Sequence, residues 1–227
     1  MPLRIPTRSL IAAALSALLI ACGSSDSGIV TVDSQGSTTV DAAALDATLQ
    51  NYPSATLSSA EAEGIAYMRE EERLAQDVYA ASATHYSLPI FANISASEAT
   101  HTEAVRTLIE RYQLADPLAG TTNGVFPTPA FQTLYDDLVA ASAVSLVEAL
   151  KVGVQIEELD IRDIEARKVD VDQADILLVY DNLLRGSRNH LRAYMNALLA
   201  RDGSYTPQYI TQEAFDAIVN SPIETGG

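Results

Sequence analysis

Residues 88–105 read LPIFANISASEATHTEAV. Pro89 suits the first turn of a helix, where a missing N–H costs nothing. From there the line Ile94, Glu98, His101, Val105, Leu108 and Tyr112 advances in steps of three or four residues, which is the period of one helix face. A carboxylate and an imidazole therefore interrupt a stripe that otherwise faces a core. A buried charge is costly unless it is paired or bound to a cation, so Glu98-x-x-His101 demands an explanation. The plain alternative is that Ser95-x-x-Glu98 caps a helix start and His101 is a satisfied core histidine. A helix already begun at Pro89 disfavours it.

The same period recurs on both sides of this stretch. A first helix is expected from Ser58, where Ser58-x-x-Glu61 suits a capping box, to about His85. Its inward line is Ile65, Met68, Glu72, Ala75 and Tyr79. Of the run Glu70-Glu71-Glu72 the phase favours Glu72, with Glu71 kept as the alternative ligand; Glu70 and Glu71 fall toward the flanks, where an acidic run is solvated and can pair with Arg73 or Arg69. A third helix begins near Ser145, with Glu148 in its cap, and reaches about Lys168. Its stripe is Leu150, Val154, Glu157, Ile161 and Ile164, with Asp160 on the border and Glu158 and Asp163 read as solvated. A fourth runs from Asp172 to Ala200 and stops at Gly203, carrying Ile176, Tyr180, Leu183, Ser187, His190, Tyr194 and Leu198 on one face. Any one of these polar residues alone is better explained as structural. Four helices that each break an apolar stripe with an oxygen or nitrogen donor are better explained together.

The expected fold is all-α, a four-helix bundle over residues 57–203. Asp116-Pro117 breaks the second helix, and about thirty residues with Gly120, Gly124, Pro127, Pro129 and a short amphipathic helix around 131–141 precede the third. That is too long for a hairpin and long enough to cross the height of a bundle. Residues 204–227 form a C-terminal segment with a short helix. Residues 22–56, rich in Ser, Thr, Asp, Ala and Gly, are read as a flexible tether.

The N-terminus indicates export. Arg4 and Arg8 precede an apolar run from Leu10 to Ala21 that is too short for a stable membrane span, so residues 1–21 read as a signal peptide. Leu19-Ile20-Ala21-Cys22 resembles the bacterial lipobox, which makes Cys22 the lipidated first residue of the mature chain. The alternative is an ordinary secretory leader with an incidental cysteine. Lipidation predicts a chain anchored to a lipid bilayer in the cell envelope and facing the periplasm or exterior. Gly23 stands where an inner-membrane retention aspartate would be, which points to the outer membrane in a Gram-negative cell.

Cys22 is the only cysteine, which excludes disulfides and thiolate metal sites in the folded part. The formal charge is −16, or −18 once Arg4 and Arg8 leave with the leader, and such a surface excludes nucleic acid as a partner.

The segments YMREEERLAQDVY (67–79), LPIFANISASEATHTEAV (88–105), VGVQIEELDI (152–161) and GSRNHLRAYMNALL (186–199) resemble the DUF2202 family of ferritin-like bacterial proteins. More distantly they are similar to the rubrerythrin and ferritin group, in which two helices each give a Glu and two each give Glu-x-x-His. The resemblance implies a di-metal site: Glu72 with Tyr79 seven residues on, Glu98 and His101, Glu157 with Asp160 as an extra carboxylate, and His190. The chain departs from the pattern at Ser187, which stands where the fourth helix would have its glutamate; Asp160 is the candidate to compensate.

Carboxylate and imidazole ligands suit iron, with manganese or zinc as alternatives. The activity implied is ferroxidase- or peroxidase-like: oxidation of Fe(II), or reduction of peroxide or dioxygen. With no cysteine-ligated iron domain, electrons would come from Fe(II) itself or from an external donor. The tether and C-terminal extension disfavour a closed storage shell and leave room for a homodimer. The rival expectation is a non-enzymatic envelope binding or structural module whose metal site is vestigial or purely structural.

Overall fold

The computed structural model describes residues 28–225. Among these the chain is predominantly helical, with seven helices and one small antiparallel hairpin. Strands β1 (Val30–Val32) and β2 (Thr38–Val40) pair with Val30 opposite Val40. Helix α1 spans Ala42–Leu49, α2 Ser59–His85, α3 Pro89–Arg111, α4 Pro129–Ser142, α5 Leu146–Lys168, α6 Ala174–Leu199 and α7 Gln212–Val219.

The four long helices fall within two residues of their expected bounds because local chemistry sets their ends. Ser58 and Glu61 form the reciprocal capping box that opens α2. Pro89 occupies the first turn of α3, and the Ser145 hydroxyl accepts the Glu148 N–H to start α5. Helix α6 has no cap from its own N-terminal residue. Glu61 supplies one from across the fold, its Oε1 accepting the N–H groups of Asp172 and Gln173 at 3.1 and 3.2 Å. One carboxylate thus satisfies orphan donors at the starts of two helices.

Helix α2 packs along α3 and α5 along α6, and the two pairs meet through α2 against α5 and α3 against α6. Between them lies a continuous apolar core in which Ile65, Met68, Ile94, Leu108, Leu150, Ile164, Ile176 and Leu183 are buried. At roughly 2 kcal/mol for each fully buried large aliphatic side chain, this core holds the helices in register. Helix α4 lies within the long connection from α3 to α5 and covers both α2 and α5.

The stretch read as a flexible tether is folded from Gly28 onward. The hairpin rests on α3 and α6, and α1 packs on α3 through the buried Leu45 and Leu49. Asp41 caps α1 by accepting from Ala43 N and Ala44 N. Asp33 closes the hairpin loop by accepting from Gln35 N and Ser37 N. The polar composition that suggested a linker belongs to turn and cap residues whose apolar neighbours are few but fully buried. The proposed signal peptide and Cys22 lie outside the described residues. Among those described, no helix is long and apolar enough to cross a membrane.

A candidate metal centre between the helices

Glu72, Glu98, His101, Glu157, Asp160 and His190 are all at most 1% exposed. They come from all four long helices. Glu98 lies at the centre, with one oxygen toward each histidine: Oε2 is 2.8 Å from His101 Nδ1, and Oε1 is 2.6 Å from His190 Nδ1. Glu72 Oε2 flanks His101 Nδ1 at 3.4 Å, and Glu157 Oε2 flanks His190 Nδ1 at 3.6 Å. The two imidazoles are stacked, 5.4 Å between centroids. The result is two carboxylate–imidazole pairs, Glu72 with His101 and Glu157 with His190, on either side of the Glu98 carboxylate.

Several of these atoms lack hydrogen-bond partners. Glu98 Oε1 and His190 Nδ1 meet at 2.6 Å without hydrogen-bond geometry, and both oxygens of Glu72 and of Asp160, together with Glu157 Oε2, have no donor. Buried polar atoms left this way cost on the order of 1–3 kcal/mol each. A cation held among them would offer these oxygens and the His190 nitrogen a partner, and the donor set of carboxylate oxygen and imidazole nitrogen fits a divalent metal. Glu98, His101 and His190 bring one donor atom each to within 4.8 Å of one another.

The electrostatics show the same tension. Burial pushes the Glu72 carboxyl up to about 7 despite the nearby imidazole of His101. Burial, then the charge of Glu98, raises Glu157 to about 7. Asp160 is held well above the usual carboxylate range by burial and by Glu71, Glu72, Glu157 and Glu98. Burial also opposes the charge on Glu98, yet the two histidines outweigh it and hold that carboxyl below its ordinary value. His190 is pushed up to about 9, Glu98 and Glu157 overcoming burial, and His101 is raised as well, by Glu98 and Glu72 against burial. Without metal the histidines and protons supply the positive charge this cluster requires.

Packing around the site is close. Gly186 and Gly153 are helical glycines where a Cβ would lie 2.3 Å from His101 Cε1 and 2.5 Å from Tyr194 Cδ1. Tyr79, seven residues after Glu72 on α2, donates to Glu157 Oε1 at 2.7 Å, across the core on α5. Ser187, at the position of the missing glutamate, is buried and donates to Leu183 O at 3.1 Å.

Four residues read as solvated are buried. Glu70 accepts from Thr128 N and Oγ1, holding the start of α4. Glu71 lies against Glu72, Asp160 and Asp163, and burial, then Asp163, holds its carboxyl well above the ordinary value. Glu158 accepts from Tyr205 Oη and from the N–H groups of Gln208, Tyr209 and Ile210. Asp163 takes a hydrogen bond from Tyr67 Oη at 2.7 Å. The arginines expected to pair with Glu70 and Glu71 go elsewhere: Arg69 to Asp116 and Arg73 to Asp77. The flanks of α2 and α5 are buried because α4 covers Glu70, the C-terminal segment covers Glu158, and the two helices close on Glu71 and Asp163 between them.

Ser97 and Thr38 also belong to the site and were not legible in the sequence. Ser97 Oγ is 2.9 Å from His190 Nε2, and Thr38 bonds to Ser97 through both its N–H and its carbonyl. Periodicity gave no signal for Thr38, which arrives from the hairpin.

This is a helical protein whose long helices enclose a carboxylate and histidine cluster suited to a divalent cation. Residues 61–222 match the uncharacterized protein domain DUF2202, and the chain belongs to that family. It is 45% identical over 178 residues to the uncharacterized protein MJ0754 of Methanocaldococcus jannaschii, covering 78% of this chain and 96% of that one. The crystal structure of the hypothetical protein MJ0754 superposes with a TM-score of 0.74 at 46% identity, over 76% of this chain and 98% of that one.

Proposed function

We propose that the protein is a ferritin-like four-helix-bundle metalloprotein that binds two iron ions between its helices and uses them to oxidise Fe(II) or to reduce peroxide or dioxygen. The observation that carries this reading is Glu98 set between two buried imidazoles, with His190 Nδ1 and Glu98 Oε1 at 2.6 Å and neither hydrogen-bonded. The pairing of α2 with α3 and α5 with α6, and the long connection between α3 and α5, support the bundle reading. Glu72 and His101 would hold one ion, Glu157 and His190 the other, with Glu98 shared. Asp160, one turn beyond Glu157 and without a donor, would supply the carboxylate that Ser187 does not.

Iron held there would supply a one-electron couple for reducing bound dioxygen or peroxide. The chain's part is to hold both ions in a dry site, to give up protons from Glu72, Glu157 and the histidines as metal enters, and to steady Glu157 through the Tyr79 hydroxyl. Manganese or zinc would fit the same donors.

The position of Ser187 favours a second reading, in which the site takes one ion and serves structure or binding rather than redox chemistry. Metal analysis of protein from iron-replete cells, followed by anaerobic Fe(II) titration and exposure to oxygen, separates the two. About two irons per chain, with oxygen uptake abolished by Glu98→Gln, is the expected result. Wild-type protein that takes up no Fe(II) overturns the metalloprotein reading, and one ion without oxygen consumption supports the structural one.

In the same reading the protein is a lipoprotein tethered to an envelope bilayer through Cys22 and drawing electrons from Fe(II) or a separate donor. Radiolabelled palmitate should enter the wild-type chain and not Cys22→Ala; label in neither removes the anchor.

A further inference from the structure

We infer that the β1–β2 hairpin is part of the metal site: Thr38, acting through Ser97, is a positioning clamp that keeps the proton of His190 on Nε2 and so presents a bare Nδ1 to the cation. This rests on the metal-binding reading above and adds to it residues that precede the helices and lie outside the stretch matched by the family.

Proton counting carries the inference. A serine hydroxyl has one hydrogen to give and can accept from two donors. Ser97 donates to the Thr38 carbonyl and accepts the Thr38 N–H at 3.1 Å, while the same N–H stands farther from His190 Nε2, at 3.4 Å. Its hydrogen is thereby committed, and the only role left toward His190 Nε2, 2.9 Å away, is that of acceptor. Nε2 must then carry the proton. The opposite nitrogen, Nδ1, is the one that faces Glu98 Oε1 and Glu157 Oε2. A ligating histidine is oriented in this way when its second nitrogen donates to a fixed partner.

The clamp is itself fixed. Thr38 is fully buried, Val40 N donates to Thr100 Oγ1 at 3.0 Å, and Asn189 Nδ2 donates to Thr38 Oγ1 at 3.2 Å. Gly36 turns the hairpin at φ +86°, and a Cβ there would lie 3.0 Å from the Asn189 carbonyl oxygen. The loop can come this close to α6 only with glycine at that position.

The test uses the full chain and Co(II) alone as probe. In the metal-free wild type, at a pH high enough to leave His190 with a single proton, the His190 Nε2–H, buried and hydrogen-bonded, should give a slowly exchanging downfield imidazole resonance in the proton NMR spectrum. Ser97→Ala should remove it and weaken Co(II) binding about 10-fold, and Ser97→Thr, which keeps the hydroxyl, should restore both. Gly36→Val, whose added side chain would meet the Asn189 backbone and no ligand side chain, should weaken the same resonance by lifting Thr38. Retention of the resonance and of Co(II) affinity in Ser97→Ala and Gly36→Val overturns the clamp. Should the wild type bind no Co(II), the metal reading fails, and the resonance in wild type against Ser97→Ala still decides the clamp.

Discussion

Gly186 on α6 lies against the imidazole of His101 on α3, so closely that a methyl group added to it would sit 2.3 Å from Cε1 and 2.7 Å from Nε2. Two helices meet there with the His101 ring in the gap that a missing side chain leaves. In an open helix, replacing glycine by alanine would stabilise by up to about 1 kcal/mol. Here the methyl group must displace His101, and overpacking of a full core costs about 1–3 kcal/mol. Gly186→Ala should therefore lower the melting temperature of the metal-free protein and reduce metal affinity at least about 10-fold. Thermal unfolding with and without metal reads both; unchanged affinity would show that His101 is not a ligand.

The cluster should make the metal-free protein less stable as pH rises. Glu72 and Glu157 hold their protons to about 7 against an ordinary 4.5, so each contributes stability that is present below 4.5 and lost as pH climbs through 7. His190, at about 9 against 6.5, contributes stability present below 6.5 and lost on passing through 9. Both act in the same direction across this window, and the groups titrate as one unit. Metal binding displaces those protons, so the stabilisation that metal confers should grow over the same range. Melting temperature recorded from mildly acidic to mildly alkaline pH, with chelator and with metal, checks both slopes.

Tyr79→Phe removes the donor to Glu157 Oε1 without opening a cavity. The oxygen left behind is buried, which should cost about 1–3 kcal/mol in the metal-free protein. With metal bound the loss should be smaller, because the cation stabilises the same carboxylate. Denaturant unfolding of both forms measures the difference, and equal losses would separate Tyr79 from the site.

Glu158→Gln should release the C-terminal segment. Its carboxylate accepts one hydroxyl and three backbone N–H groups from residues 205–210, and an amide cannot accept from all of them. A loss of about 2–4 kcal/mol is expected, with limited proteolysis cutting near Tyr205–Ile210 in the variant first. A resistant segment would mean that α7 and the Arg192 and Glu224 contacts hold it unaided.

The four long helices were legible because each depends on information carried by its own residues. Capping at Ser58 and Ser145, Pro89 in a first turn, and a period of three to four residues act within a few turns of chain. The inward lines through Glu72, Glu98 and His101, Glu157 and His190 followed from that phase, and all of these side chains are buried. The metal candidates were legible for the same reason, since a charged residue inside an apolar stripe is a local contradiction visible without coordinates.

What surrounds those lines was decided by the tertiary structure. Glu70, Glu71, Glu158 and Asp163 lie beside the stripe by phase and become buried through tertiary contacts: Glu70 against the start of α4, Glu158 under residues 205–210, and Glu71 and Asp163 where α2 meets α5. The segment from Gly28 to Leu49 has linker-like composition, and it is ordered by α3 and α6, to which it delivers Thr38, Leu45 and Leu49. Helix phase is set by neighbours three and four residues away and can be read along the chain. Burial of a helix flank, the partner of a buried carboxylate and the proton position on His190 depend on atoms distant in sequence, and contacts of that kind exist only once the chain has closed on itself.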